Sequence, residues 1–191
     1  LTPAIKAKLS LKLDYLSSQE EELVDYLACF RAPASVSLLA RLLGLSMEEV
    51  VEITEEFGQK QLLMEEEQGE ELVVRFSQEL LRIYAYERLS LAKKRMLHHQ
   101  IAQGMEDQLG DSLHHAQLLN EIAYHYKMSK QPIKSLEYEL HYLEATLQFH
   151  HELFPIYSRE FGFIEKTDDS NQSAVLDQFD RIRREIEGLE R

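Results

Sequence analysis

The chain has 191 residues, a formal net charge of -13, 44% hydrophobic residues, seven Gly and four Pro. This composition is typical of a globular, largely helical chain, and its length predicts two small domains, each with its own core. The acidic balance argues against non-specific binding to nucleic acids and to anionic membranes, because both depend on cationic side chains.

The first predicted element is a helix that begins at Ser17 or Ser18. A glutamate lies three residues after each serine, which is the spacing of a capping box. Apolar residues then recur at helical spacing, at Leu23, Leu27 and Phe30. We interpret this segment as the first helix of a small domain.

Two more helices and a hairpin follow. A short helix is predicted to end at Gly44, and the pair Ser46 and Glu49 forms a second capping box that begins another helix. The β-forming segments 62–64 and 72–76 flank the turn-like sequence EEEQGEE, which predicts a two-stranded hairpin. Three helices and a hairpin are typical of a winged helix.

The third helix is acidic where the reading helix of a DNA-binding protein would be basic. Its apolar stripe, Val50, Ile53 and Phe57, is predicted to face the core. The outward face then carries Glu48, Glu52, Glu55 and Glu56. Residues 46–71 contain ten Glu and one Lys, so this region would repel phosphate. We interpret it as a protein-docking face, with a solvated face and a DNA contact as the alternatives.

The rest of the chain reads as successive helices. The pattern predicts helices over residues 78–89 and 91–109, and the second of these carries an apolar stripe that would lock two modules together. Further helices are predicted over 113–129, 133–147, 153–164 and 176–189. Such antiparallel helices favour a tetratricopeptide-like array, with a small helical bundle as the alternative. The predicted organisation is therefore a winged-helix-like domain at 1–77, connecting helices at 78–110 and a tetratricopeptide-like domain at 111–191.

A basic cluster stands out from the acidic background. Between residues 82 and 95, five cations face a single acid, Glu87. The cluster consists of Arg82, Arg88, Lys93, Lys94 and Arg95. We interpret it as a structural joint that locks the winged helix to the repeat domain. The cluster could also pair with the acidic helix and hairpin, within the molecule or between copies. A contact to phosphate or nucleic acid is the alternative.

The order of these segments resembles that of a known family. The run from Phe76 and Ser77 through Glu79 and Leu80, with Leu97-His98 before Ile101-Ala102, is similar to the region after the ATPase core in signal-transduction ATPases with numerous domains. This chain has Gln78 where the family usually has a histidine. The resemblance implies a mainly α chain with a degenerate winged helix followed by tetratricopeptide-like helices. It also implies a segment that couples a nucleotide switch to helical sensor repeats in a large bacterial regulator.

No catalytic or cofactor motif is visible. The chain has no GxxxxGK[ST] loop, its eight histidines do not form an H-E-x-x-H pair, and Cys29 reads as a buried, inert thiol. We therefore expect no enzyme activity and no cofactor or metal. A single cysteine, no secretory signal and no long apolar run favour a cytoplasmic setting without a membrane, and a first residue other than Met suggests a piece of a longer protein.

Taken together, the sequence predicts a regulatory and protein-interaction segment of a larger signalling ATPase or transcriptional regulator. Its expected partners are proteins: the ATPase domain of the parent protein, its repeats or another copy. The alternative is a DNA-binding winged-helix transcription factor, and an enzyme of unrecognised type is a third possibility. An amphipathic last helix, with Phe179 on its apolar stripe, is expected to fold back on the preceding helix or to pair with a second copy.

Overall fold

The computed structural model describes residues 3–69, 71–109, 116–143, 145–146, 181 and 184. These residues are mainly helical, with a small three-stranded antiparallel sheet. The helices are α1 (Pro3–Leu13), α2 (Ser18–Cys29), α3 (Val36–Leu43), α4 (Met47–Gln59), α5 (Glu79–Arg88), α6 (Leu91–Leu109) and α7 (Ala116–Met128). Residues 132–143 are also helical. The strands are β1 (Ala34–Ser35), β2 (Leu63–Gln68) and β3 (Glu71–Phe76).

Two compact units divide the chain, Leu1–Met105 and Glu106–Arg191, so the boundary falls inside α6. The division into 1–77, 78–110 and 111–191 stays a prediction. The helix predicted over 153–164 lies outside the described residues. The last predicted helix, over 176–189, lies outside them too, apart from residues 181 and 184.

The predicted helix boundaries of the first unit are confirmed. The Ser17 side chain accepts from the backbone N–H of Glu20, and the Glu20 carboxylate accepts from the backbone N–H of Ser17 at 2.7 Å. The same reciprocal pair opens α4, where the Glu49 carboxylate lies 2.8 Å from the backbone nitrogen of Ser46. The helix α3 ends at Gly44, whose φ of 65° is easily adopted only without a side chain. Local sequence chemistry therefore sets these ends.

The sheet differs from the predicted hairpin in two respects. Its strand order is β1-β3-β2, so β3 is central and the two-residue strand β1 was missed. The predicted turn EEEQGEE was also too long, because β2 continues through Gln68, which pairs with Glu71. Glutamates are tolerated there because β2 is an edge strand, where charged side chains keep contact with water.

The core of the first unit forms where α6 lies against α2 and α3. Leu97 and Ile101 are 2% and 0% exposed. The Tyr26 hydroxyl of α2 contacts the amide oxygen of Gln100 at 3.0 Å. The Arg41 guanidinium of α3 donates to the carbonyl of Gly104 at 2.9 Å. A side chain at Gly104 would meet Leu38 and Leu42 of α3, so the backbones approach closely at this point.

The second unit is held by a polar network between its helices. The Lys134 ammonium donates to the Glu106 carboxylate at 3.1 Å and to the Tyr126 hydroxyl at 2.9 Å. The rings of Tyr126 and Tyr138 stack at 5.8 Å between centroids. Burial opposes ionisation of Glu106, but hydrogen bonds from the two tyrosines and Lys134 outweigh it and lower the pKa of that carboxyl. The network fixes the register of α7 against residues 132–143.

One apolar residue of the helix predicted over 133–147 is exposed. Leu136 and Leu143 of its apolar stripe are buried. Ile133, however, is 72% exposed. It lies in the first turn after Pro132, where the helix has just begun and the stripe has not yet reached its packing partner.

Candidate interaction surfaces

The acidic face of α4 is the first candidate surface. Val50 and Phe57 are fully buried and Ile53 is partly buried, as predicted. The face itself is exposed throughout and consists of Glu48, Glu52, Glu55 and Glu56. Because the apolar stripe holds α4 against the core, these carboxylates project into solvent at a fixed spacing.

The hairpin extends the acidic character of this region. Glu65 and Glu67 of β2 are exposed, while Glu66 accepts from Arg75 of β3 at 2.6 Å. On α4, Glu56 forms an ion pair with Lys60 at 3.1 Å. Basic side chains thus neutralise two carboxylates, and the remaining ones keep the local potential negative.

Two exposed methionines lie beside these acids. Met47, the first residue of α4, is 45% exposed, and Met64 of β2 is 44% exposed. Sequence reasoning missed both of them as surface residues. No local signal distinguishes Met47, because it lies three residues before Val50 and so shares the spacing of the buried stripe. Flexible thioethers next to charges suit a surface that accepts protein partners.

The basic cluster does not act as one unit. Three of its members are engaged in contacts to α2 and α5. Arg82 contacts the Glu79 carboxylate at 2.6 Å and the Ala28 carbonyl at 3.0 Å. Lys93 forms an ion pair with Asp25 of α2, and the Lys94 ammonium lies 4.4 Å from the centroid of the Tyr86 ring. These contacts strengthen the packing of α5 and α6 on α2.

The other two members of the cluster are free among the described residues. Arg88 and Arg95 are exposed. Neither side chain forms a hydrogen bond or an ion pair with another residue that the structure describes. The predicted pairing of the cluster with the acidic helix and hairpin stays a prediction, and these two arginines are its available members.

The Lys93–Asp25 pair gives a direct test of the structural part of the cluster. Asp25 is 7% exposed, and the hydrogen bond to its carboxylate raises the pKa of Lys93. Lys93→Met should lower the free energy of unfolding by about 1–3 kcal/mol, because a nearly buried carboxylate loses its donor. Urea unfolding followed by circular dichroism measures this loss.

The matched control is Arg95→Met, two residues further along the same helix. Arg95 is exposed, so its replacement should change stability by less than about 0.5 kcal/mol. In the double variant Lys93→Met/Asp25→Asn the carboxylate charge is gone as well, and part of the loss should return. If Lys93→Met and Arg95→Met lower the free energy of unfolding equally, the Lys93–Asp25 ion pair contributes nothing specific to stability.

Cys29 and His98 are both buried, and each interacts with neighbouring side chains. Burial, and then the charge of Asp25, raise the pKa of the Cys29 thiol to about 12, so it is not a thiolate at neutral pH. The ring of His98 is fully buried and its Nε2 lies 3.1 Å from the Tyr86 hydroxyl. Among the described residues, no three histidine, cysteine or carboxylate side chains group together in a way that would hold a metal ion. None of the described helices has the length and apolar character to cross a membrane.

Two comparisons with known proteins found no similarity to this chain. No protein-family model matches the chain, and a search of curated proteins finds no match. The functional argument therefore depends on the surfaces described above.

Proposed function

We propose that the chain is a non-catalytic regulatory and protein-interaction segment of a larger bacterial signalling ATPase or transcriptional regulator. In this proposal the first unit contains a degenerate winged helix and the second contains tetratricopeptide-like helices. The element order α2, β1, α3, α4, β2, β3 supports the first part, because a winged helix has three helices, a short strand after the first of them and a terminal hairpin. The antiparallel arrangement of α7 and residues 132–143 supports the second part.

The observation that carries the proposal is the charge of the exposed face of α4. In a DNA-binding winged helix the corresponding helix presents Arg, Lys, Asn or Gln to the major groove. Here Glu48, Glu52 and Glu55 occupy the exposed positions. These carboxylates would repel the phosphates of a DNA duplex docked on α4, whereas they would attract cationic groups on a protein partner. This arrangement favours protein docking over DNA binding.

The regulatory role rests on the resemblance in the sequence of α5 and α6. What the resemblance implies is a segment that couples a nucleotide switch to sensor repeats. Gln78 lies at the N-cap of α5 and makes no side-chain capping hydrogen bond. A glutamine there has no titratable group, so we propose that this module transmits the state of the switch through its packing and does not itself sense the nucleotide charge.

The alternative, a DNA-binding transcription factor, is tested by a titration. We expect no binding of a short labelled DNA duplex at physiological salt in a fluorescence anisotropy experiment, because binding requires cations that release counterions. The variant with Glu48, Glu52, Glu55 and Glu56 all replaced by Lys is the positive control and should gain salt-sensitive affinity. Sub-micromolar, salt-sensitive binding by the wild-type chain would overturn the proposal and favour the alternative.

A further inference from the structure

The exposed face at the start of α6 combines an apolar side chain with cationic ones. Leu91 is 65% exposed. Arg95 lies one turn after Leu91 on the same face, and the exposed Arg88, the last residue of α5, lies three residues before Leu91. A partner that covers Leu91 and supplies carboxylates would gain free energy from both kinds of contact.

The helix dipole of α6 adds to this positive potential. The N-terminus of a helix favours anions, yet the first turn of α6 has no acidic residue. Lys93 and Lys94 follow instead, and Asp25 on α2 neutralises Lys93. The Ser90 side chain also caps this end of α6 by accepting from the backbone N–H of Lys93, so the positive potential of this face comes mainly from Arg88 and Arg95.

The acidic face of α4 has the matching chemistry. Met47 is 45% exposed at the start of that helix, and Glu48, Glu52 and Glu55 form no ion pair with other described residues. Within one copy, neither Arg88 nor Arg95 contacts a described carboxylate. Both surfaces belong to the first unit and both are available to a second molecule.

We infer that the α6 face of one copy binds the acidic α4 face of a second copy, with Arg88 and Arg95 against Glu52 and Glu55. The inference rests on the proposed function in one respect, since it takes α4 as a protein-docking face. Two chains of net charge -13 repel each other at long range. At physiological ionic strength, however, charges more than about 8 Å apart are largely screened, so the pairs at the contact decide the outcome.

The two faces are different, which fixes the kind of assembly. A contact between unlike faces leaves one free face at each end, so copies add head to tail until a ring closes. Each face offers only a few side chains, well below the roughly 800 Å² per partner of a standard interface, so the association is weak. The average mass should therefore rise steadily with concentration and should not stop at the dimer.

Sedimentation equilibrium of the complete 191-residue chain, up to about 1 mM, tests this inference. The double variant Arg88→Glu/Arg95→Glu breaks one face and Glu52→Lys/Glu55→Lys breaks the other. Each variant alone should be monomeric, with a Kd raised at least about tenfold. Mixed in equal amounts, the two variants should associate again, because one then carries two acidic faces and the other two basic ones.

The control is Lys127→Glu/Lys130→Glu, which changes the net charge as Arg88→Glu/Arg95→Glu does but at exposed positions of the second unit. It should associate like the wild type. If circular dichroism shows that Arg88→Glu/Arg95→Glu is unfolded, the neutral variant Arg88→Gln/Arg95→Gln is used in its place in the same experiment.

Three outcomes would overturn the inference. They are a wild-type chain that stays monomeric throughout, a dimer that forms without further growth, and a mixture of the two variants that forms no heterodimer. None of these would touch the proposed function, which the DNA titration tests independently. Conversely, DNA binding by the wild-type chain would overturn the proposed function, whereas only the sedimentation experiment decides whether the two faces bind each other.

Discussion

Leu97→Ala and Ile101→Ala should each lower the free energy of unfolding by about 2–5 kcal/mol. Both side chains point into the core of the first unit, with exposed fractions of 2% and 0%. Truncation removes buried apolar surface and leaves a cavity, and the close approach of α6 to α3 at Gly104 limits how far the neighbours can collapse into it. Urea unfolding followed by circular dichroism measures the loss.

Met96 provides the matched control for this experiment. It precedes Leu97 in the same helix but is 51% exposed, so Met96→Ala should change stability by less than about 0.5 kcal/mol. The comparison separates burial from any general effect of alanine in α6. A loss below about 0.5 kcal/mol for Leu97→Ala or Ile101→Ala would show that this helix is peripheral to the core.

The helices from α2 to α6 could be predicted because their signals are local, whereas α1 was missed. The capping boxes at Ser17 and Ser46 act over three residues, and the stripe of Val50 and Phe57 repeats within one helix. The acidic face of α4 follows directly from that stripe, since residues that do not face the core face water. The acidic candidate surface was therefore visible before the structure was known.

The strands were harder to predict because their pairing is not local. β1 has two residues, too few for a periodic pattern, and it exists because Ala34 and Ser35 pair with Val74 and Val73 of the distant strand β3. The run of glutamates in β2 has low strand propensity and reads as a turn. Backbone pairing with β3 overrides that preference.

The basic cluster shows the limit of counting charges. Five cations close together in the sequence look equivalent, yet Lys93 pairs with Asp25 while Arg95 projects into solvent. Residues two apart on a helix point about 200° apart, so one faces α2 and the other faces away. The face that each cation takes depends on which side of α6 packs against the core, and the partners on α2 are far away in the sequence.

The second large effect is expected on acidification, through His98. Burial, followed by the positive charges of Arg31 and Lys94, lowers the pKa of His98 from its ordinary value of 6.5 to about 4. The ring is thus neutral in the folded protein at pH 5, while in the unfolded chain it takes up a proton. Since the unfolded state binds the extra proton, stability is complete above pH 6.5 and falls as the pH drops toward 4. The total loss from this residue is about 3 kcal/mol, at about 1.4 kcal/mol per pH unit within that window.

Urea unfolding of the wild type and of His98→Gln at a series of pH values isolates this contribution. The variant has no group that titrates at this position, so its stability should be lower at pH 7 but nearly flat between pH 6.5 and pH 4.5. The carboxyls whose pKa is lowered by capping, such as Glu20 and Glu49, lose their contribution only below their ordinary value of 4.5. Their titration therefore affects only the acid end of the pH series, and it acts equally in both proteins. Parallel pH profiles for the two proteins would mean that His98 does not control the acid sensitivity of the first unit, and that its ring is reached by water or by a proton without unfolding.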